Sequence, residues 1–166
     1  KTYTGRALRS FREDFCGTAV LSCHHIRNHR ENTAVGVDLD RPTLDWGIKN
    51  NVNVLLNEEQ KQRLKLIESD VLKVTSPLVD CVMALNFSYQ VFKTRKELGK
   101  YIKTVYKSLK PGGVFYMDAL GGPDVIQANT DRTRHKGFIY EWEQRSFDPI
   151  NHRFVCSIHF VPFKTL

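Results

Sequence analysis

Gly17 is followed 21 residues later by Asp38, which closes the apolar run Ala34-Val35-Gly36-Val37. A glycine turn between a strand and a helix, with a carboxylate about 20 residues on at the end of the next strand, suits one chemistry. The carboxylate can accept hydrogen bonds from the two hydroxyls of a ribose. Asp38 could instead cap the helix that follows, but Asp40 stands better placed for that task. Two further acids belong to the same pattern, Glu13 just ahead of the turn and Asp70 at the end of RLKLIESD (63–70). The turn itself, REDFCGTAVL (12–21), has Cys16, Gly17 and Thr18 at its centre. Phe15 and Ala19 stand where a dinucleotide-binding loop has its outer glycines. A pyrophosphate needs several free N–H groups and a close backbone approach at the helix start. Phe15 and Ala19 fit that poorly, whereas a ligand with a ribose and no phosphate asks less of the loop, and Gly17 alone could serve it.

These residues need elements that bring them to one place. ALRSFREDF (7–15), AVGVDL (34–39), RLKLIESD (63–70), LVDCVMAL (78–85) and GVFYMDAL (113–120) read as strands, the first of them poor because it carries so many charges. Helical patterns fill the gaps. One runs from a Thr18 cap to about Asn28, with Ala19, Cys23 and Ile26 on one face. Another opens at Asp40 and Pro42. Over 95–109, Leu98, Tyr101, Ile102, Val105 and Leu109 form an apolar stripe opposite Lys96, Lys100, Lys103 and Lys107, a row that reads as solvated surface. KPGG (110–113) turns the chain. Strand–helix alternation predicts a mostly parallel sheet covered on both faces. GFIYEWEQRSF (137–147) and HRFVCSIHFVPF (152–163), joined by Asp-Pro-Ile-Asn, predict a closing antiparallel hairpin. The expected fold is a Rossmann-like, mostly parallel seven-stranded α/β sheet ending in that hairpin. TDRTRHKG (130–137) reads as a charged connection.

The 166 residues suffice for one domain with a real core. Composition is that of an ordinary soluble globular protein, with no apolar run of transmembrane length and no visible signal peptide. Four cysteines without a C-x-x-C pair point to reduced thiols and a cytoplasmic setting. The net charge of +7 is compatible with an anionic partner. His24, His25 and His29 crowd one helix, but no glutamate lies between the last two, so the zinc-protease pattern is absent and no metal is expected. Cys16 is a conceivable nucleophile, although its place in the loop explains it.

The chain resembles the class I S-adenosylmethionine-dependent methyltransferases. That family's first motif commonly reads acid-x-Gly-Cys-Gly-Thr-Gly, and Glu13, Cys16, Gly17 and Thr18 match it, with Ala19 replacing a glycine and Phe15 departing from it. VGVDLD matches the second motif, ESDVL (68–72) the third, VDCVMALNFSYQVF (79–92) the fourth, and LKPGGVFYMD (109–118) the turn into the fifth strand. EDFCGTA is similar to a poorly characterised subgroup with this altered loop. The resemblance implies S-adenosylmethionine as cofactor, with Glu13, Phe15, Cys16, Gly17, Thr18 and Ala19 beside its methionine part. It places Asp38 and Leu39 at the ribose, Asp70 and Val71 at the adenine, and Asn86 and Phe87 near the transferred methyl. Family members usually carry a helix, and often a substrate cap, ahead of the first strand. With about six residues there, a single core domain over 1–166 lacking that helix or cap is expected.

The acceptor side leaves alternatives open. Asn86-Phe87-Ser88-Tyr89 is similar in outline to the Asn-Pro-Pro-Tyr signature of enzymes that methylate exocyclic amines. It lacks both prolines, and Phe87 and Tyr89 could equally be packing residues. Arg132, Arg134, His135 and Lys136 could hold an anionic acceptor, RNA or a small molecule, or form a solvated loop. Two rival functions share the sheet. A nicotinamide-dependent oxidoreductase would need the missing glycines. A non-catalytic module binding protein or RNA would keep the fold alone.

Overall fold

The computed structural model describes residues 5–163 and divides into two compact units after Asp118. The first unit holds five parallel strands, β1 (Ser10–Asp14), β2 (Thr33–Asp38), β3 (Leu64–Glu68), β4 (Val79–Ala84) and β5 (Leu109–Met117), in the order β3-β2-β1-β4-β5. The helices between them are α1 (Val20–Asn28), α2 (Arg41–Gly47), α3 (Asn53–Leu55), α4 (Glu58–Lys61) and α5 (Arg95–Ser108). A π-helical turn, Ile48–Val52, links α2 to α3.

The apolar runs form strands because both sheet faces are covered. On one face Phe11, Ala34 and Cys81 pack with Cys23 and Ile26 of α1 and with Val52 and Leu56. On the other, Val35, Val37, Val79 and Val82 pack with Tyr101 and Val105 of α5. Helix α5 starts at a capping box: the Thr94 hydroxyl accepts the Glu97 N–H at 3.2 Å, and the Glu97 carboxylate accepts the Thr94 N–H at 3.1 Å.

The charges that weaken β1 as a sequence pattern are buried partners. The Arg12 guanidinium, fully buried, donates to the Val74 carbonyl (2.7 Å) and the Ser108 hydroxyl (2.6 Å), and pairs with Asp14 (2.9 Å). The Tyr101 hydroxyl donates to Asp14 at 2.8 Å. β1 is thereby tied to α5.

Asp80 of β4 is also buried. It accepts the Ser10 N–H (2.8 Å), the Ser10 hydroxyl (2.7 Å), the Arg9 N–H (3.1 Å) and the Arg6 guanidinium (2.6 Å). Burial pushes its carboxyl up, but these donors outweigh burial and hold it well below the usual range. Asp80→Asn should cost about 2 kcal/mol. That is less than the ~3–5 kcal/mol of a wholly buried pair, because Arg6 is partly exposed. The folded-state pKa lies below the unfolded value of about 3.9, so the stabilisation is present above that pH and is lost as pH falls through the lowered pKa. Chemical denaturation of both forms between pH 2 and 7 checks this. The wild-type advantage should shrink only on the acid side.

The second unit is a three-stranded antiparallel sheet, β6 (Asn129–His135), β7 (Phe138–Phe147) and β8 (Phe154–Pro162), in that order, preceded by a short 3₁₀ turn, Pro123–Ile126. The expected hairpin is β7–β8, with Asp148 accepting the Ile150 N–H in the turn (2.8 Å). The Rossmann-like α/β fold class thus holds, with eight strands in two sheets where seven in one were expected. Residues 130–137 are not a structureless connection. Asn129–His135 pairs with β7 from Asn129↔Gln144 to His135↔Phe138. This edge strand is exposed along nearly its whole length, so burial imposes no apolar alternation on it and the sequence reads as a loop.

Candidate functional site

Parallel strands in the order β3-β2-β1-β4-β5 bring Asp70, Asp38, Glu13 and Asn86 to the carboxyl ends of four adjacent strands, where open α/β sheets bind ligands. The β1–α1 loop has an unusual backbone. Phe15 (φ 59°), Gly17 (φ 52°) and Ala19 (φ 54°) are all left-handed. The loop keeps the alternating conformation that favours glycine, although only Gly17 is one. Phe15 meets the rings of Phe92 (6.2 Å) and Tyr101 (5.8 Å), and Ala19 is fully buried with Cys16 and Leu44. Packing on both side chains holds the strained backbone.

Asp38 links the loop to β2. Its Oδ2 accepts the Gly17 N–H at 2.7 Å and its Oδ1 accepts the Asp40 N–H at 2.9 Å. It is therefore not the unoccupied carboxylate expected from the sequence, although each oxygen keeps a further lone pair. Asp40 does occupy the position ahead of α2. Its carboxylate takes the Thr43 hydroxyl (2.7 Å) and caps no backbone N–H.

The cap of α1 also differs from expectation. Ala19, not Thr18, precedes the helix, and the first turn is satisfied by Glu13. The Glu13 carboxylate accepts the Ser22 N–H at 3.0 Å and the Ser22 hydroxyl at 2.5 Å. Burial raises the Glu13 carboxyl above its ordinary value, the Ser22 bonds draw it back, and Asp38 adds to the rise. Burial, with Glu13 and Asp38 beside it, pushes the Cys16 thiol up, which removes it as a nucleophile.

Two residues missed in the sequence hold the far side of the loop. Gly47 at the end of α2 lies so close to Thr18 that a Cβ would sit 2.5 Å from the Thr18 carbonyl oxygen. Asn51, in the π-helical turn, donates its side-chain N–H to the same oxygen at 2.9 Å. π-turns are frequent beside functional loops.

Phe15, Asp38, Leu39, Asp70 and Val71 line one cavity of about 400 Å³, together with Ser69, Leu72, Val91, Phe92 and Glu97. Leu39 is 69% exposed at its rim. Asp70 Oδ1 accepts the Leu72 N–H (2.9 Å), and Oδ2 has no hydrogen-bond partner among the described residues. A carboxylate with a lone pair left on each oxygen, a second with a vacant acceptor, and the apolar Phe15, Val71 and Phe92 in the same lining could take a ligand with one flat apolar face and several hydroxyl or amino donors. Cys16, Gly17, Thr18, Ala19, Asn86 and Phe87 do not line this cavity. The first four form the adjoining loop, and the last two follow β4. Tyr89 packs on the α5-side core. A larger cavity of about 820 Å³, beside α1, is lined by Phe11, Leu21, His24, His25, Met83, Tyr116 and neighbours. It contains none of the rim carboxylates, so the chemistry points to the smaller one. The His25 ring lies tilted against Phe11, with 5.1 Å between ring centres, and bonds the Arg9 carbonyl (3.0 Å), and burial lowers its pKa. Among the described residues no His/Cys/Asp/Glu group is placed to hold a metal.

In the second unit Arg132 forms an ion pair with Glu141, and the Arg134 guanidinium lies 4.4 Å from the centre of the Phe163 ring. Both are strand residues, not the loop cations expected from the sequence.

Residues 14–117, more than half of the chain, match the methyltransferase domain family. No curated protein gives a match. Among solved structures, an S-adenosylmethionine-dependent methyltransferase from Clostridium acetobutylicum is 18% identical, with a TM-score of 0.65 over 97% of this chain and 69% of that one. DesVI of Streptomyces venezuelae is also 18% identical, with a TM-score of 0.62 over 97% of this chain and 71% of its own. CalS10, an amino pentose methyltransferase from Micromonospora echinaspora solved with S-adenosylmethionine bound, is 14% identical, with a TM-score of 0.60 over 95% and 70%.

Proposed function

The chain belongs to the class I S-adenosylmethionine-dependent methyltransferases, and from that membership we propose that the cavity beside Asp38 and Asp70 holds the adenosine of the methyl donor. The carrying observation is that five residues chosen from spacing and motif line one cavity, with an unpartnered Asp70 oxygen among them. Asp38 takes the ribose hydroxyls, Asp70 the adenine amino group, and Leu39, Val71 and Phe15 flank the nucleoside. Glu13 anchors α1, while Cys16, Gly17, Thr18 and Ala19 carry the backbone past the methionine part. Asn86 and Phe87 lie on the transfer side. The EDFCGTA loop supports membership of the subgroup with that altered first motif.

The reaction is in-line displacement of a methyl group from a sulfonium by a nucleophile. The electrophile is already activated, so the protein's work is alignment and, where the acceptor needs it, removal of a proton. Asn86, exposed and without a side-chain hydrogen bond among the described residues, is a better acceptor-side contact than Tyr89, which is committed to packing. The net charge of +7 favours an anionic acceptor, RNA or a small molecule. Arg134 and Lys136 support that reading more than Arg132, which Glu141 already neutralises. No helix among the described residues is long and apolar enough to cross a membrane. The four cysteines are unpaired, which supports a reducing, cytoplasmic setting. Residues 1–166 are proposed to act as the methyltransferase core.

Asp38→Ala tests the cofactor reading. S-Adenosylhomocysteine affinity, measured by calorimetry, should fall by roughly 1.5–3 kcal/mol, the range for hydrogen bonds to a charged group. Equal affinities in both forms would make Asp38 only the anchor of Gly17.

A further inference from the structure

The chain after β4 passes through two consecutive left-handed residues, Asn86 (φ 58°) and Phe87 (φ 56°), neither of them glycine. Both point their backbone N–H groups at one carboxylate. Asn86 donates to Asp118 Oδ2 at 2.7 Å and Phe87 to Asp118 Oδ1 at 2.9 Å. Successive N–H groups converging on one anion form a nest. Here the anion is a side chain 31 and 32 residues away, placed one residue beyond β5 by the pairing Ala84↔Met117. Without it both N–H groups would lose their acceptor and the strained backbone its only bonds to another strand end among the described residues. The remaining bonds of the turn are local: the Ser88 hydroxyl donates to the Leu85 carbonyl (2.8 Å), and the Gln90 N–H to the Phe87 carbonyl (2.9 Å).

β4 lies beside β1, so this turn is next to the Phe15–Ala19 loop. We propose that Asp118 is a positioning residue of the methyl-transfer site. Its carboxylate fixes the backbone of Asn86 and Phe87 at the carboxyl end of β4, and so holds Asn86, whose side chain has no hydrogen bond among the described residues, beside the donor-binding loop. The functional part of this inference rests on the cofactor reading above. The clamp itself does not.

The clamp can be emptied and refilled. Asp118→Ala leaves the nest without its anion, and formate has the size and charge to replace the lost carboxylate. Backbone amide exchange at Asn86 and Phe87, followed by NMR, should speed up by at least about tenfold in Asp118→Ala, what one charge-assisted hydrogen bond is worth. S-Adenosylhomocysteine affinity should fall several-fold, and formate, with chloride as the ionic-strength control, should restore both quantities. Wild type should not respond to formate. Asp118→Asn, which keeps one carbonyl oxygen and the shape, should be intermediate and serves if the alanine form does not fold. Unchanged exchange in both variants, or exchange that formate does not slow, would overturn the clamp. Restored exchange with cofactor affinity unaltered throughout would overturn its role at the site. A wild type that binds no S-adenosylhomocysteine but shows the exchange effect would defeat the cofactor reading, and with it the functional part of the proposal, while leaving the clamp standing.

Discussion

Gly17→Val should abolish S-adenosylhomocysteine binding while leaving the domain folded. Gly17 sits at φ 52°, and in that conformation its N–H reaches Asp38 at 2.7 Å. A β-branched residue there costs about 1–2 kcal/mol from the backbone alone, with a restricted side chain in addition. The protein itself has space, since a Cβ at Gly17 meets only the Thr43 methyl group, at 3.8 Å. The damage is therefore local: the loop leaves the left-handed conformation, or the new side chain occupies the face along which the donor lies. Calorimetry reads the loss and circular dichroism the retained fold. Normal affinity in the valine form would reduce the glycine turn to a connection between β1 and α1.

Gly47→Ala should act on the same loop from its other side. Its Cβ would lie 2.5 Å from the Thr18 oxygen, 2.7 Å from its Cα and 2.8 Å from its carbonyl carbon. All three are backbone atoms, so no rotamer change relieves the clash. Either α2 or the loop must move, and the Asn51–Thr18 hydrogen bond breaks. Overpacking of this kind costs about 1–3 kcal/mol. Affinity for S-adenosylhomocysteine should fall by at least about tenfold, the equivalent of some 1.4 kcal/mol. Gly99→Ala is the control, with nothing within 4 Å of its Cβ. It should stabilise α5 by about 0.5–1 kcal/mol and leave binding unchanged. Wild-type affinity in Gly47→Ala would mean that α2 does not position the loop.

What could be read in the sequence was whatever burial or a local rule writes into neighbouring residues. β2 is buried on both faces and appears as an apolar run, and α5 appears through its stripe. Asp38 and Asp70 are legible because strand ends in a parallel sheet share one rim. β1 was harder, because Arg12 and Asp14 look like surface charges until Tyr101, Val74 and Ser108 are found around them. β6 was missed because an exposed edge strand needs no apolar side. The left-handed conformations of Phe15 and Ala19 run against their residue types and are imposed by Phe92, Tyr101 and Leu44, none of them nearby in sequence. Asp118, Gly47 and Asn51 act on backbone atoms 29 or more residues away, and no spacing rule points to such a contact.

A crystal structure of the protein with S-adenosylhomocysteine tests the site most directly. The adenine should lie between Asp70, Val71 and Phe92, with its amino group on the vacant Asp70 oxygen and both ribose hydroxyls on Asp38. Nucleoside density in the cavity beside His24 and His25, or an adenosine that leaves Asp38 and Asp70 untouched, would contradict it.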